Sequence, residues 1–125
     1  MPADTREAVA IPPKMAMHMM ANMRDHLAAL QEIQAALAKG ETDKAAKIAE
    51  QRIGMSSLRS HGAHEVGKFM PQGMRDAGTG MHRAASRFAV VAQEAGVTGD
   101  LKPALAALAD VTAQCVGCHA GYRLK

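Results

Sequence analysis

The chain ends in the stretch Cys115-Val116-Gly117-Cys118-His119-Ala120-Gly121-Tyr122-Arg123-Leu124-Lys125, which contains the pattern Cys-x-x-Cys-His. Two thiols three positions apart project from the same side of a helix, so both can bond to one flat molecule lying along that side. The histidine directly after the second thiol is held close to the same molecule. The pattern therefore brings two sulfur atoms and one imidazole to a single site.

Cys-x-x-Cys-His is the attachment motif for a c-type haem. We predict that Cys115 and Cys118 bind one haem c covalently through thioether bonds and that His119 is the proximal iron ligand. Two other interpretations of the spacing are weaker. A redox-active cysteine pair is expected at a strand-to-helix junction, which the sequence does not predict. A structural zinc site needs four ligands, usually from two cysteine pairs or a Cys₂His₂ set.

The residues before the motif predict an amphipathic helix that faces the core. Asp100 suits the N-cap of this helix, and Pro103 is tolerated in its first turn because the backbone N–H groups there lack intrahelical partners. Apolar and motif residues recur at steps of three and four, which places them on one predicted stripe: Leu101, Leu105, Leu108, Val111, Cys115, Cys118, His119 and Tyr122.

The C-terminal motif, followed at once by Ala120-Gly121-Tyr122-Arg123, resembles that of the class II cytochromes c, the family that includes cytochrome c′ and its low-spin relatives. The resemblance is specific over residues 115–123 and is a general pattern elsewhere. It implies an all-α fold, an antiparallel four-helix bundle with the haem in its core. It also implies one-electron transfer in the bacterial periplasm with redox partner proteins, and it is compatible with a homodimer.

The remaining sequence predicts three further helices and the connections between them. A long irregular connection is expected where glycines and Pro71 accumulate, over residues 61–80. We expect residues 1–11 to form a flexible arm and residues 12–125 to form one domain. No strand is predicted, because β-branched residues are few and do not alternate. The three helices are expected over residues 12–39 with Gly40 as the stop, over 42–60, and over 81–95 before a turn at 96–99.

The first helix is the expected source of the sixth iron ligand, because a cofactor in a helical bundle lies between facing helices. Its predicted apolar face consists of Met19, Met20, Met23, Leu27, Leu30, Ile33 and Leu37. In the family that the chain resembles, low-spin members present a methionine sulfur at a similar depth, and cytochrome c′ presents an apolar residue instead. Met23 is therefore the first candidate for the distal ligand, and Met19, Met20 and His26 are its alternates.

The nature of the distal side decides between two functions. A thioether ligand stabilises ferrous iron and produces a low-spin electron carrier. A vacant distal side produces a cytochrome c′-like protein that binds small gases such as NO or CO. The methionines at these positions favour the electron carrier.

Other residues suggest weaker sites. Met15, Met17, Met19, Met20 and His18 invite a copper(I) site, but their spacing spreads the soft ligands around the helix. His61, His64 and His82 are expected to be solvated histidines of the long connection. Tyr122 and Arg123, three and four residues after His119, are candidates for contact with the haem.

Length and composition restrict the classes of protein to which the chain can belong. A chain of 125 residues supports one domain. Its net charge of +3, without a run of basic residues, and its aromatic content of 2% argue against nucleic-acid binding. No stretch is long and apolar enough to span a bilayer. Residues 1–14 lack the apolar region of a signal peptide, so we expect a mature or recloned form. No constellation of residues indicates hydrolytic catalysis, and we predict that the protein is not an enzyme.

Overall fold

Two pairs of long helices, each pair joined by a short turn, make up most of the molecule. The computed structural model describes residues 2–125 and is mostly helical, which confirms the all-α class. The elements are β1 Glu7–Val9, α1 Pro13–Ala38, α2 Thr42–Arg52, a 3₁₀ turn Met55–Ser57, α3 Ala63–Gly67, α4 Gln72–Thr98, α5 Lys102–Gly121 and β2 Tyr122–Leu124.

The turn after α1 lies where the sequence predicts it, whereas the turn before α5 begins later than the predicted 96–99, because α4 continues to Thr98. Gly40 has a φ of 72°, in the left-handed region that favours glycine, and its N–H donates to the carbonyl of Leu37 at 3.0 Å. Gly99 has a φ of 78° and its N–H donates to the carbonyl of Ala95 at 2.8 Å. The side chain of Asp100 then accepts a hydrogen bond from the backbone N–H of Lys102 at 3.1 Å, which helps to begin α5.

The predicted long connection is wrong in its second half, because α4 begins at Gln72 rather than Met81. The glycines of this stretch lie inside the helix and allow neighbouring elements to come close. A Cβ on Gly80 would stand 2.7 Å from the side-chain oxygen of Gln114, and a Cβ on Gly73 would collide with the hydroxyl of Tyr122. The preceding helix is also shorter than predicted, since α2 ends at Arg52.

Two short strands correct the prediction of a strand-free chain, and the first of them lies within the predicted N-terminal arm, residues 1–11. β1 pairs in parallel with β2, so that Glu7 lies opposite Tyr122 and Val9 lies opposite Leu124. The backbone N–H of Lys125 donates to the carbonyl of Val9 at 2.9 Å, and Val9 is buried. Three-residue strands leave no alternating pattern to read, and their partners lie more than 100 residues apart in sequence.

The helices pack as antiparallel neighbours in the order α1, α2, α4, α5. Arg52, at the end of α2, forms ion pairs with Asp25 and Glu32 of α1. The start of α2 meets the end of α4, where a Cβ on Gly96 would stand 2.5 Å from the hydroxyl of Thr42. The first half of α1, the start of α4 and the end of α5 therefore share one end of the molecule with the two strands. We call this the ribbon end.

The core between these helices consists mainly of small side chains. Eleven of the twenty buried apolar residues in the described chain are alanines. The large fully buried side chains include Phe88, Ile33 and Ile53. Small residues let helix axes approach closely, and the glycine contacts of α4 have the same effect.

The apolar face of α1 differs from the predicted one. Met20 and Leu27 are exposed, Leu27 to 71%, whereas Met15 is half-buried. The observed inward face repeats Met15, Met19, Asn22, His26, Ile33 and Leu37. The prediction failed because apolar side chains cover more of the circumference of α1 than α2 can bury, so apolar content did not define the inward direction.

No helix within residues 2–125 combines the length and the apolar character that crossing a membrane requires.

We predict that Phe88→Ala lowers the free energy of unfolding by about 3–5 kcal/mol, because it removes the one large aromatic ring among the alanines and leaves a cavity. Phe88 is 0% exposed. Urea denaturation followed by circular dichroism measures the change. The matched control on the same helix is Val97→Ala, at a residue 90% exposed, which should change stability by less than about 0.5 kcal/mol. Equal effects of the two substitutions would contradict the described core.

Candidate functional site

The Cys-x-x-Cys-His motif lies on the last turns of α5, at the ribbon end. Cys115 and Cys118 are free and half-buried, and Cys115 packs against the edge of the core. The thiol of Cys115 lies 3.6 Å from the carbonyl oxygen of Val111, one turn earlier in the helix. The predicted common face of the two cysteines is therefore present in the structure.

Burial raises the pKa of both the Cys115 and the Cys118 thiol above the ordinary value. A catalytic Cys-x-x-Cys pair has the opposite property, because a nearby positive charge or helix N-terminus lowers the pKa of its attacking thiol. These cysteines lie near a helix C-terminus instead, where the macrodipole disfavours a thiolate. Their environment does not fit a thioredoxin-like reaction.

His119 is exposed, and so is Leu105, so both deviate from the predicted buried stripe of α5. The buried and half-buried residues of this helix continue through Ala104, Leu108, Val111, Cys115 and Cys118. At 100° per residue, Leu105 and His119 lie on the rim of that face rather than at its centre. The imidazole of His119 is accordingly open to a ligand beside the two thiols.

The N-terminal segment holds the backbone around the motif. A guanidinium N–H of Arg6 donates to the carbonyl of His119 at 3.3 Å, and Arg6 also forms an ion pair with Asp4 at 2.8 Å. The same carboxylate of Asp4 lies 3.7 Å from Nε of Arg123. The hydrogen bonds from Arg6 lower the pKa of Asp4 to about 2. Arg123 thus turns towards Asp4, and Tyr122 is half-buried over Gly73 of α4.

The candidate distal residues lie on the first half of α1, which reaches the ribbon end. Met19 and Met23 are half-buried, while Met20 is exposed. Helix α1 packs chiefly on α2, and α5 packs chiefly on α4, so Met23 and the cysteines belong to helices that are not closely packed on each other. A shallow depression of about 300 Å³ on the outer side of α1 is lined by Ala16, Met17, Met20 and Arg24.

Three histidines meet in the core and form a cluster that no pattern in the sequence predicts. His26 of α1, His61 before α3 and His82 of α4 have ring centres 4.8 Å (26–61), 5.9 Å (61–82) and 6.3 Å (26–82) apart. His26 and His82 are buried and His61 is half-buried, so the expectation of solvated histidines at 61 and 82 is wrong. The three positions are far apart in sequence, and the one available signal was the place of His26 between apolar neighbours on α1.

The hydrogen bonding of this histidine cluster is incomplete. Nδ1 of His82 lies 2.5 Å from the carbonyl oxygen of Ile53 and donates its proton there, and Asn22 donates to the carbonyl of His61 at 3.2 Å. Both ring nitrogens of His26 and Nδ1 of His61 are buried without a hydrogen-bond partner in the described chain. Buried polar atoms are normally satisfied, so three orphaned nitrogens in one place require an explanation.

The histidines are neutral at neutral pH because a charged ring is costly to bury. Burial, together with the neighbouring His61 and His82, lowers the pKa of His26 to about 4. Burial also lowers the pKa of His61 and of His82. The nearest carboxylate, Asp25, accepts a hydrogen bond from Arg52. This contact lowers the pKa of Asp25 and balances its negative charge.

Within residues 2–125, no group of three or more His, Cys, Asp or Glu side chains is arranged, as it stands, to hold a metal ion. Comparison of the chain with models of protein families, with characterised proteins and with solved structures produced no match.

The histidine pKa values predict a pH dependence of stability. A folded-state pKa below the ordinary value of 6.5 means that the unfolded chain binds more protons, so stability falls as the pH drops through 6.5 towards 4. We expect the thermal midpoint to decrease over this range, and His26→Leu to reduce the slope, because leucine has no proton to gain. The exposed His64 offers the matched control, and His64→Leu should keep the slope of the wild type. An unchanged slope in His26→Leu would contradict a neutral buried His26.

Proposed function

We propose that the chain is a monohaem c-type cytochrome that transfers single electrons, with the haem at the ribbon end of an antiparallel four-helix bundle formed by α1, α2, α4 and α5. The observation that carries the proposal is the position of Cys-x-x-Cys-His. Its two thiols are half-buried on one face of α5, and its exposed imidazole lies at the rim of that face.

The residues around the motif fit a large flat apolar group. Both cysteines are half-buried and Cys115 packs against the edge of the core, while apolar side chains of α1 and α5 remain exposed. Met20 and Leu27 of α1 and Val116 of α5 are exposed. The first half of α1, from Pro13 to Asp25, contains no buried residue. A porphyrin between α1 and α5 would pack against half-buried residues of both helices and add the aromatic bulk that the core lacks.

In this proposal each residue of the motif has a separate task. Cys115 and Cys118 would hold the haem through two thioether bonds, and His119 would ligate the iron. A haem c held in this way supplies an iron centre that gains and loses one electron. The hydrogen bond from Arg6 and the β1–β2 pairing restrain the backbone at and after His119. Arg123, which is partnered by Asp4, stays a candidate for contact with a haem propionate, as Tyr122 does for contact with the ring.

Met23 is the proposed distal ligand, with Met19, Met20 and His26 as its alternates. It is half-buried at the border between the inward face of α1 and the exposed strip that includes Met20 and Leu27. The sulfur of the exposed Met20 is less protected from solvent than that of Met23. His26 already lies against His61 and His82. Sulfur ligation would favour the reduced iron and support an electron carrier. Export to the bacterial periplasm and action on redox partner proteins follow from the resemblance to class II cytochromes c.

Covalent attachment is the first test of this proposal. Chain produced together with a c-type haem maturation system should have a mass equal to the polypeptide of 13.2 kDa plus one haem, and the colour should stay with the protein in acidic acetone. Cys115→Ala/Cys118→Ala should yield the polypeptide mass alone. A wild-type chain with the mass of the bare polypeptide would refute the proposal.

Ligation is tested by the visible spectrum of the oxidised and the reduced protein with and without carbon monoxide. We expect a six-coordinate, low-spin wild type that resists CO, and a Met23→Ala variant that becomes high-spin and binds CO, because the iron loses its sixth ligand. The matched control on the same helix is Met17→Ala, at a residue 74% exposed, which should keep the wild-type spectrum. A high-spin wild type would instead support a cytochrome c′-like gas-binding protein.

A further inference from the structure

We propose that His26, His61 and His82 form a binding site for one divalent transition-metal ion, of the zinc or copper(II) type, separate from the haem motif. The three side chains come from α1, from the connection before α3 and from α4. Imidazole is a ligand that zinc, copper and nickel accept well. The site uses none of Cys115, Cys118 and His119, and it requires that the distal iron ligand is Met23, Met19 or Met20 rather than His26.

The spacing of the three rings fits a shared ion. The one point in the plane of the three ring centres that is equally far from all of them lies about 3.3 Å from each, close to the distance that a zinc–nitrogen bond of about 2.1 Å produces. The ring planes of His26 and His61 are inclined by 67°, and their nitrogens do not yet converge. Binding therefore requires rotation of the imidazoles about their χ2 angles together with small shifts of the rings.

The hydrogen bonds of the cluster leave nitrogens available for an ion. His82 donates from Nδ1 to the carbonyl of Ile53, the outer-shell contact that fixes the orientation and tautomer of many metal-bound histidines and leaves Nε2 as the ligand atom. His26 is only 6% exposed and both of its nitrogens lack a partner, so coordination would satisfy an atom that is otherwise orphaned. Asn22 holds the backbone of His61 against α1.

The protonation state and the charged neighbours of the cluster are compatible with a bound cation. The rings are neutral at neutral pH, which is the form that binds metal. Asp25 is the carboxylate near His26 and His61, and the positive charge of Arg52 is balanced by Asp25 and Glu32. His18 is a further titratable neighbour of His61. Its Nε2 atom lies 3.1 Å from the carbonyl oxygen of Ser60.

The test is calorimetric titration of the haem-loaded protein with Zn²⁺ at pH 7.5 after removal of metals with a chelator. We expect one ion per chain and an affinity at least about tenfold lower in His61→Gln and in His82→Gln, because each loses one of three ligands. His64→Gln, on α3, is the matched control and should bind like the wild type. Absence of binding, or equal affinity in His61→Gln and the wild type, would overturn the proposal.

X-ray absorption at the zinc edge identifies the ligands without relying on a variant that must fold. Nitrogen neighbours at about 2.0–2.1 Å without sulfur at about 2.3 Å support the histidine site, whereas a sulfur shell would assign the ion to cysteine and refute it. The same titration of Cys115→Ser/Cys118→Ser separates the two proposals. If the Cys115→Ser/Cys118→Ser variant still binds zinc, the histidine site is supported whether or not the wild-type chain carries a haem. If this variant no longer binds zinc, the histidine site is overturned.

Discussion

The close approach of α4 to α2 and α5 is the constraint on which the rest of the structure depends. It requires small residues along the contacts, and the chain supplies alanines together with Gly80 and Gly96. Bulky side chains are correspondingly rare in the core, and Phe88 is the one fully buried aromatic ring of the described chain. These helices pack closely over most of their length, but apolar residues near the ribbon end are not covered by that packing.

The contrast between the closely packed alanine core and the ribbon end explains the position of the proposed haem site. The same antiparallel arrangement that buries the alanines brings the first half of α1 and the last turns of α5 to one end. Neither helix is closely packed on the other there. Methionines on α1 suit such a place, because an unbranched thioether adapts its shape to a rigid neighbour and can also ligate iron. The β1–β2 pairing closes this end by tying the N-terminal segment to the residues that follow His119.

The histidine cluster is the one part of the core that small-residue packing does not explain. An apolar side chain in place of His26 would avoid two orphaned nitrogens at no loss of volume, so the imidazole costs stability in the protein as it stands. A metal ion would offset that cost by using the nitrogens that have no other partner. The cluster also joins α1, α4 and the connection between α2 and α4, so an ion there would stabilise the longest connection of the chain.

The sequence by itself determined the features that depend on neighbouring residues. Local periodicity placed Met81, Ala84 and Phe88 on the inward face of α4, the left-handed preference of glycine marked the turns at Gly40 and Gly99, and the spacing of Cys115, Cys118 and His119 defined the candidate site. Tertiary structure alone decided the rest, because the deciding contacts join residues far apart in the chain. Gly73 and Gly80 resemble turn glycines until α5 lies against them, and β1 has no partner until α5 returns to the N-terminus. His26, His61 and His82 become one cluster only when α1 and α4 enclose the connection between them, since no local pattern records which side chains will meet across a core.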